Sequence, residues 1–262
     1  MSWGRVVAIF KRHFFVFRRN PAGMLDLVLW PSVDMLVWGM MMVYIQRSVR
    51  IPAPVGFLLG GVILWTLMFR ANLETTISFL DDSSWTRNIL NLLVSPMRPV
   101  EYLAGSMLWG LVKIAAGVSI MGVFSWLLFK FALVGLGPVL ALFVFALMLF
   151  GLAMSLLVIG IVLRFGHGAD ILAWGLAGIF TPLSAVWYPV EVMPAVAQKV
   201  ALSLPPAHVF ESMRTVLAGG PVPWGSLGVA LVLDVFYVAA ALAFATAMLS
   251  TFRRRGFVTR YM

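Results

Sequence analysis

Apolar and polar residues follow one another along this chain in long blocks, without the short beats of a soluble fold. Residues 23–44, 55–80, 102–129, 139–163, 171–186 and 227–249 are almost wholly apolar. Each is of the order of the roughly 20 residues that cross a hydrocarbon core, so they predict six transmembrane helices. Ahead of them, residues 2–19 put Trp3, Val6, Val7, Phe10, Phe14 and Phe17 within an arc of about 100° at a helical period. Arg5, Lys11, Arg12, Arg18 and Arg19 take the rest of that surface. Such a helix lies along the membrane face rather than across it, and Asn20-Pro21 ends it. Between the second and third spans, Asp81-Asp82-Ser83-Ser84 can cap a helix over 83–95. There Trp85, Ile89, Leu92 and Leu93 recur at helical spacing, Arg87, Asn88 and Asn91 lie elsewhere around it, and Pro96 and Pro99 stop it. Residues 190–220 hold apolar runs too short to cross, broken at Pro194, Pro205 and Pro206. They predict two short helices that dip in and return to the same extracytoplasmic side.

Charge fixes the orientation. With six spans both termini share a side, and Arg5, Lys11, Arg12, Arg18, Arg19, Arg87, Arg98, Arg164 and the arginines of the tail TFRRRGFVTRYM fall there. Only Arg47, Arg50, Lys130, Lys199 and Arg214 fall on the other. The positive-inside rule puts both termini and 83–95 in the cytoplasm of a multi-pass protein of the cytoplasmic (inner) membrane. A seventh crossing would expel the RRR tail. Composition agrees: 62% hydrophobic residues, 11% charged and a mean hydropathy of +1.00 exclude a soluble domain, which runs at about 25% charged. The fold class is an all-α polytopic membrane protein, one membrane domain over 1–262, since the ten-residue alternation of a β-barrel is absent. The net charge of +9 does not point to nucleic acid, because the arginines gather at span ends, where anionic lipid headgroups lie. With no cysteine there is neither disulfide framework nor thiolate site. The cationic N-terminus lacks the apolar core of a signal peptide.

The segment RNILNLLVSPMRPVEYLAG holds Arg87, Asn88, Leu92, Leu93, Pro96 and Gly105. Later come TPLSAVWYPVEVMP and LPPAHVFESMR, the last ending at Arg214. In their order and spacing, after a surface helix and around six spans, these resemble the type-2 permease family of ATP-binding-cassette exporters over nearly the whole chain. The resemblance implies a half-transporter. Two permeases, with this chain expected to pair with a second copy of itself, would join two copies of a cytosolic ATPase subunit. Helix 83–95 would be the coupling helix, with Ser84, Trp85, Arg87, Asn88, Leu92 and Leu93 at the ATPase groove. The N-terminal helix would touch that subunit too. The re-entrant pair, with Tyr188, Glu191, Glu211 and Arg214, would form an outer gate. A lipid, glycan, drug-like or other amphipathic substrate would leave the cell. No G-x-x-x-x-G-K-[ST] precedes any of the lysines, so ATP and Mg belong to the partner and no cofactor is expected here. Read from its residues alone, 83–95 also fits a helix lying on lipid.

Five charges fall inside expected spans: Asp34, Arg70, Glu74, Lys113 and Asp234. A carboxylate at a span's centre costs about 2.5 to 3.5 kcal/mol on insertion, so each calls for a partner, a wet cavity or a proton. Arg70 and Glu74, four apart, can pair on one helix face. The five either neutralise one another, Asp34 with Lys113 or Arg70, or serve a transport path. Trp30, Trp38, Trp174, Trp187, Tyr188 and Trp224 suit interfacial anchors or sugar stacking. His13, His167 and His208 lie apart with no metal spacing. A membrane enzyme would need a nucleophile with a base, or a metal cluster, and neither is evident. A proton-coupled secondary transporter, or a non-transporting subunit of a larger complex, remains the alternative.

Overall fold

The computed structural model describes residues 2–49, 56–80, 99–131, 133–165 and 171–255. Among these the regular elements are all helical. They are α1 (Trp3–Arg18), α2 (Pro21–Val49), α3 (Gly56–Leu80), α4 (Pro99–Phe129), α5 (Val139–Phe165), α6 (Leu172–Phe180), α7 (Ala195–Leu202), α8 (Pro205–Leu217) and α9 (Trp224–Arg255), with 3-10 turns at Leu133–Leu136 and Val190–Val192. Five helices, α2, α3, α4, α5 and α9, are long and apolar enough to cross a membrane, and they coincide with five of the six expected spans.

The sixth expected span, 171–186, is helical only over the nine residues of α6. At 1.5 Å per residue that is about 14 Å, half of a hydrocarbon core of roughly 30 Å. Thr181-Pro182 ends it, because proline has no N–H and pushes the residue before it out of the helical region. The chain runs on through turns and bends to Tyr188.

Lipid gives no hydrophobic drive for one helix to seek another, so close packing holds the bundle together. Helix α3 is its centre: 78% of its most apolar stretch is buried, against 61% for α5 and 22% for each of α2, α4 and α9. It packs on α5, α4, α2, α6 and α8, while α9 runs along α5 and α8, and α1 lies on α4 with an edge on α2. Leu59, Ile63, Leu64 and Met68 of α3 meet Phe143, Leu147 and Phe150 of α5, Phe210 and Met213 of α8, Met35 and Met121 in one core. The approach of α5 to α3 requires Gly151, where a Cβ would lie 2.6 Å from the Met68 carbonyl oxygen. Of the short helices, α8 opens with Pro205 and Pro206, well tolerated where no intrahelical donor is needed.

Candidate functional site

Three constellations occupy the bundle from its α1 side to the α7–α8 side. The first is the seat of α1. Trp109 of α4 receives Phe10, Phe14 and Phe17 edge-on, with ring centroids 5.7, 5.8 and 5.4 Å away, each such contact adding about 0.5–1.5 kcal/mol beyond area burial. Val6 and Ile9 are fully buried beneath. Gly105 of α4 makes the approach possible, since a Cβ there would sit 2.6 Å from that of Ile9 and 2.8 Å from the Val6 carbonyl oxygen. Glu101, only 1% exposed, accepts the Ser2 backbone N–H at 2.6 Å and a bond from Arg5 Nη1 at 3.4 Å. A carboxylate thus stands at the positive end of α1. His13 Nε2 bonds the Ser106 hydroxyl at 3.1 Å. The packed face differs from the expected arc: it centres near Val6, Ile9, His13 and Phe17, about 60° further round the helix. Trp3, at the other edge of the apolar arc, is 66% exposed.

The second constellation is ionic. Glu74 of α3 pairs with Arg70 one turn back at 3.8 Å and with Lys113 Nζ, which reaches over from α4. Arg70 Nη2 also donates to the Asp26 carbonyl oxygen of α2 at 3.4 Å, and Lys113 Nζ lies 5.8 Å from the Phe17 ring centroid. Helices α1 to α4 therefore converge on one buried charge cluster. The expectation that Asp34 would pair with Lys113 or Arg70 is corrected here, because Glu74 takes both cations. Asp34 is half-buried, within the field of Arg70, but in no ion pair among the described residues. Asp234 stays outside the cluster as well. It is fully buried in α9, and neither of its oxygens has a hydrogen-bond partner among the described residues.

The third constellation centres on Arg214 of α8. Its Nη1 donates to Glu211 Oε1 at 3.1 Å. Its Nη2 donates to the carbonyl oxygens of Ala185, Val186 (3.2 Å) and Tyr188 (3.1 Å). The same Glu211 oxygen accepts the Val190 N–H at 2.7 Å. Burial draws the Arg214 guanidinium below its ordinary value, and the Glu211 charge opposes that shift. Trp187 stacks on Trp38 of α2, with ring centroids 3.9 Å apart and planes 11° from parallel, so one face of each ring is closed to a sugar. Tyr188 donates its hydroxyl to the Pro182 carbonyl at 2.9 Å and lines a cavity of about 330 Å³ together with Leu183, Met193 and Pro194. Tyr188, Glu211 and Arg214 are thus brought together. Glu191 is exposed and makes no hydrogen bond or ion pair with Arg214 among the described residues.

Ser84, Trp85, Arg87, Asn88, Leu92 and Leu93, expected to meet an ATPase, lie outside the described residues. His208 bonds Ser226 at 3.2 Å and the Leu202 carbonyl at 2.8 Å. Among the described residues no three acidic or histidine side chains group as a metal site. Sequence reasoning missed Glu101 and Ile9. A lone glutamate in the first turn of α4, in a chain whose first helix holds four cations, was the available signal for the former.

A model of the ABC-2 type transporter family matches residues 5–218, from α1 through the end of α8. Nodulation protein J of Rhizobium leguminosarum bv. trifolii is 24% identical over 233 residues, which cover 85% of this chain and 83% of that protein. With a helical bundle built for a membrane, and a family match over most of its length, this chain belongs to the ABC-2 type transporters as a membrane permease subunit.

Proposed function

We propose that the chain is the membrane half of an ATP-driven exporter in the cytoplasmic membrane, two copies of it working with two copies of a cytosolic ATPase. Helix 83–95 is the coupling helix, with Ser84, Trp85, Arg87, Asn88, Leu92 and Leu93 against the ATPase, which supplies the ATP and Mg chemistry. The observation that carries this reading is the path leading away from that segment. Four residues beyond it α4 begins, and α4 bears α1 through Glu101 and Trp109 and grips α3 through Lys113 and Glu74. A push delivered at Pro99 would then reach α1 and α3 as well as α4. Both termini are cytoplasmic, α6 with the turns that follow it forms the fifth of six crossings, and α7–α8 are re-entrant. The cargo class is a lipid, glycan, drug-like or other amphipathic molecule moving outward, and Asp34 and Asp234 are candidates for its path.

The test is co-purification. The tagged permease is expected to bring down an ATPase, and Arg87→Ala with Leu92→Ala to lower the complex's ATP turnover at least tenfold. Absence of any ATPase, or full turnover in the double variant, would sink the reading. Orientation can be read separately, since no native cysteine competes: a cysteine at Trp85 should react with a membrane-impermeant maleimide only in inverted vesicles.

A further inference from the structure

We infer that residues 185–190 form a strap that Arg214 keeps with α8, and that the bundle parts between this strap and α2–α3 during transport. The inference rests on the reading of the chain as the moving body of an ATP-driven transporter. Six residues of chain touch three helices, and they do so unequally. Toward α8 the strap is hydrogen-bonded: the Arg214 fork holds the carbonyls of Ala185, Val186 and Tyr188, and Glu211 holds the Val190 N–H. Toward α3 its contact is bare packing, the Val186 carbonyl lying where a Cβ on Gly61 would meet it at 3.0 Å. Toward α2 it is the Trp187–Trp38 stack. Among the described residues no hydrogen bond joins 185–190 to α2 or α3. Directional, charge-assisted bonds resist separation, whereas stacked rings and a glycine-to-carbonyl contact can slide.

The strap's own backbone agrees. Ala185, fully buried, has φ +56°, a region a residue with a Cβ seldom takes and one that persists only when its surroundings over-determine it. The Arg214 fork supplies that determination. Arg214 is therefore a positioning residue: it decides which side the strap follows when the helices rock.

The chain has no cysteine, so an engineered pair reports cleanly. A Cβ on Gly61 would lie 3.7 Å from Val186 Cγ1, an atom at the place a cysteine sulfur at 186 can take, so the two positions are close enough to test for a disulfide. In the purified permease, Gly61→Cys with Val186→Cys is expected to oxidise readily. Adding Arg214→Lys should slow that oxidation severalfold, because a lysine ammonium cannot reproduce the fixed fork, with elution volume and helical circular dichroism unchanged. Glu211→Gln, which weakens the fork from one side, should act the same way by a smaller factor. An oxidation rate indifferent to both variants overturns the role of Arg214. In the complex with its ATPase, ATP trapped with vanadate should slow the cysteine pair severalfold, and oxidation should cut ATP turnover severalfold, with recovery in dithiothreitol. Equal reactivity with and without nucleotide, together with unaltered turnover after oxidation, overturns the parting plane. If no ATPase associates at all, the transport reading falls and the parting plane with it, while the permease-only measurement still decides what Arg214 does.

Discussion

Glu74 answers two cations at once, Arg70 from its own helix and Lys113 from α4, so its loss and theirs are not equivalent. Glu74→Gln leaves two buried positive charges without a counter-charge, which is expected to destabilise the protein by about 3–5 kcal/mol. Lys113→Met leaves the Arg70–Glu74 pair whole and should cost much less. Thermal melts of the detergent-solubilised variants, followed by size exclusion, give the order. Asp234 is the opposite case: with no hydrogen-bond partner for either oxygen among the described residues, Asp234→Asn breaks no bond seen there, and the melting temperature is expected to hold or rise. A fall of several degrees would reveal a partner for it. The Arg70–Glu74 pair was readable from four-residue spacing alone. Lys113 as its third member was not, because nothing in a linear sequence says which faces of α3 and α4 meet.

Helix α1 shows how far periodicity goes. Its existence and two-faced character followed from Phe10, Phe14 and Phe17 recurring at helical spacing, yet the face it lays on α4 is centred about 60° from the middle of its apolar arc. The greasiest arc of an interfacial helix also has lipid to face, so Trp3 can stay outside, while His13 and the end near Ser2 turn inward to Ser106 and Glu101. Gly105→Leu is expected to dislodge α1, since the added side chain meets Ile9 and Val6 at under 3 Å. Limited proteolysis of α1 should then speed up by an order of magnitude while α2–α9 stay protected. Equal protection would mean that α1 is held by lipid and not by α4. Helix α6 carries the complementary lesson. An apolar run of 16 residues reads as a span, but Pro182 inside it stops the helix. The hydrophobic count was legible and the break was overlooked, although its cause stood in the sequence.

In the whole molecule, burial is uneven in a telling way. Helices α3 and α5 are enclosed, whereas α2, α4 and α9 each leave most of their surface open. On α2 the open side includes the exposed Asp26 and the half-buried Asp34, residues ill-suited to lipid tails and better suited to a second permease or a wet path. A cysteine at Asp34 in the assembled complex is therefore expected to be labelled by a small water-soluble reagent, and complete resistance would mean a dry lipid-facing site. The five long apolar helices, the amphipathic α1 and the short α7–α8 pair were visible from block lengths, helical spacing and prolines. The inter-helix clamps were not, for they depend on which turns come face to face. Helix α4, finally, is 31 residues long, about 46 Å, and its grip on Glu74 falls at Lys113. That point lies roughly 21 Å from Pro99 and 24 Å from Phe129 by helical rise. A rigid rod tilting on such a fulcrum is a seesaw with arms of nearly equal length, so any swing at its Pro99 tip would return at its Phe129 tip with almost the same amplitude and the opposite sense.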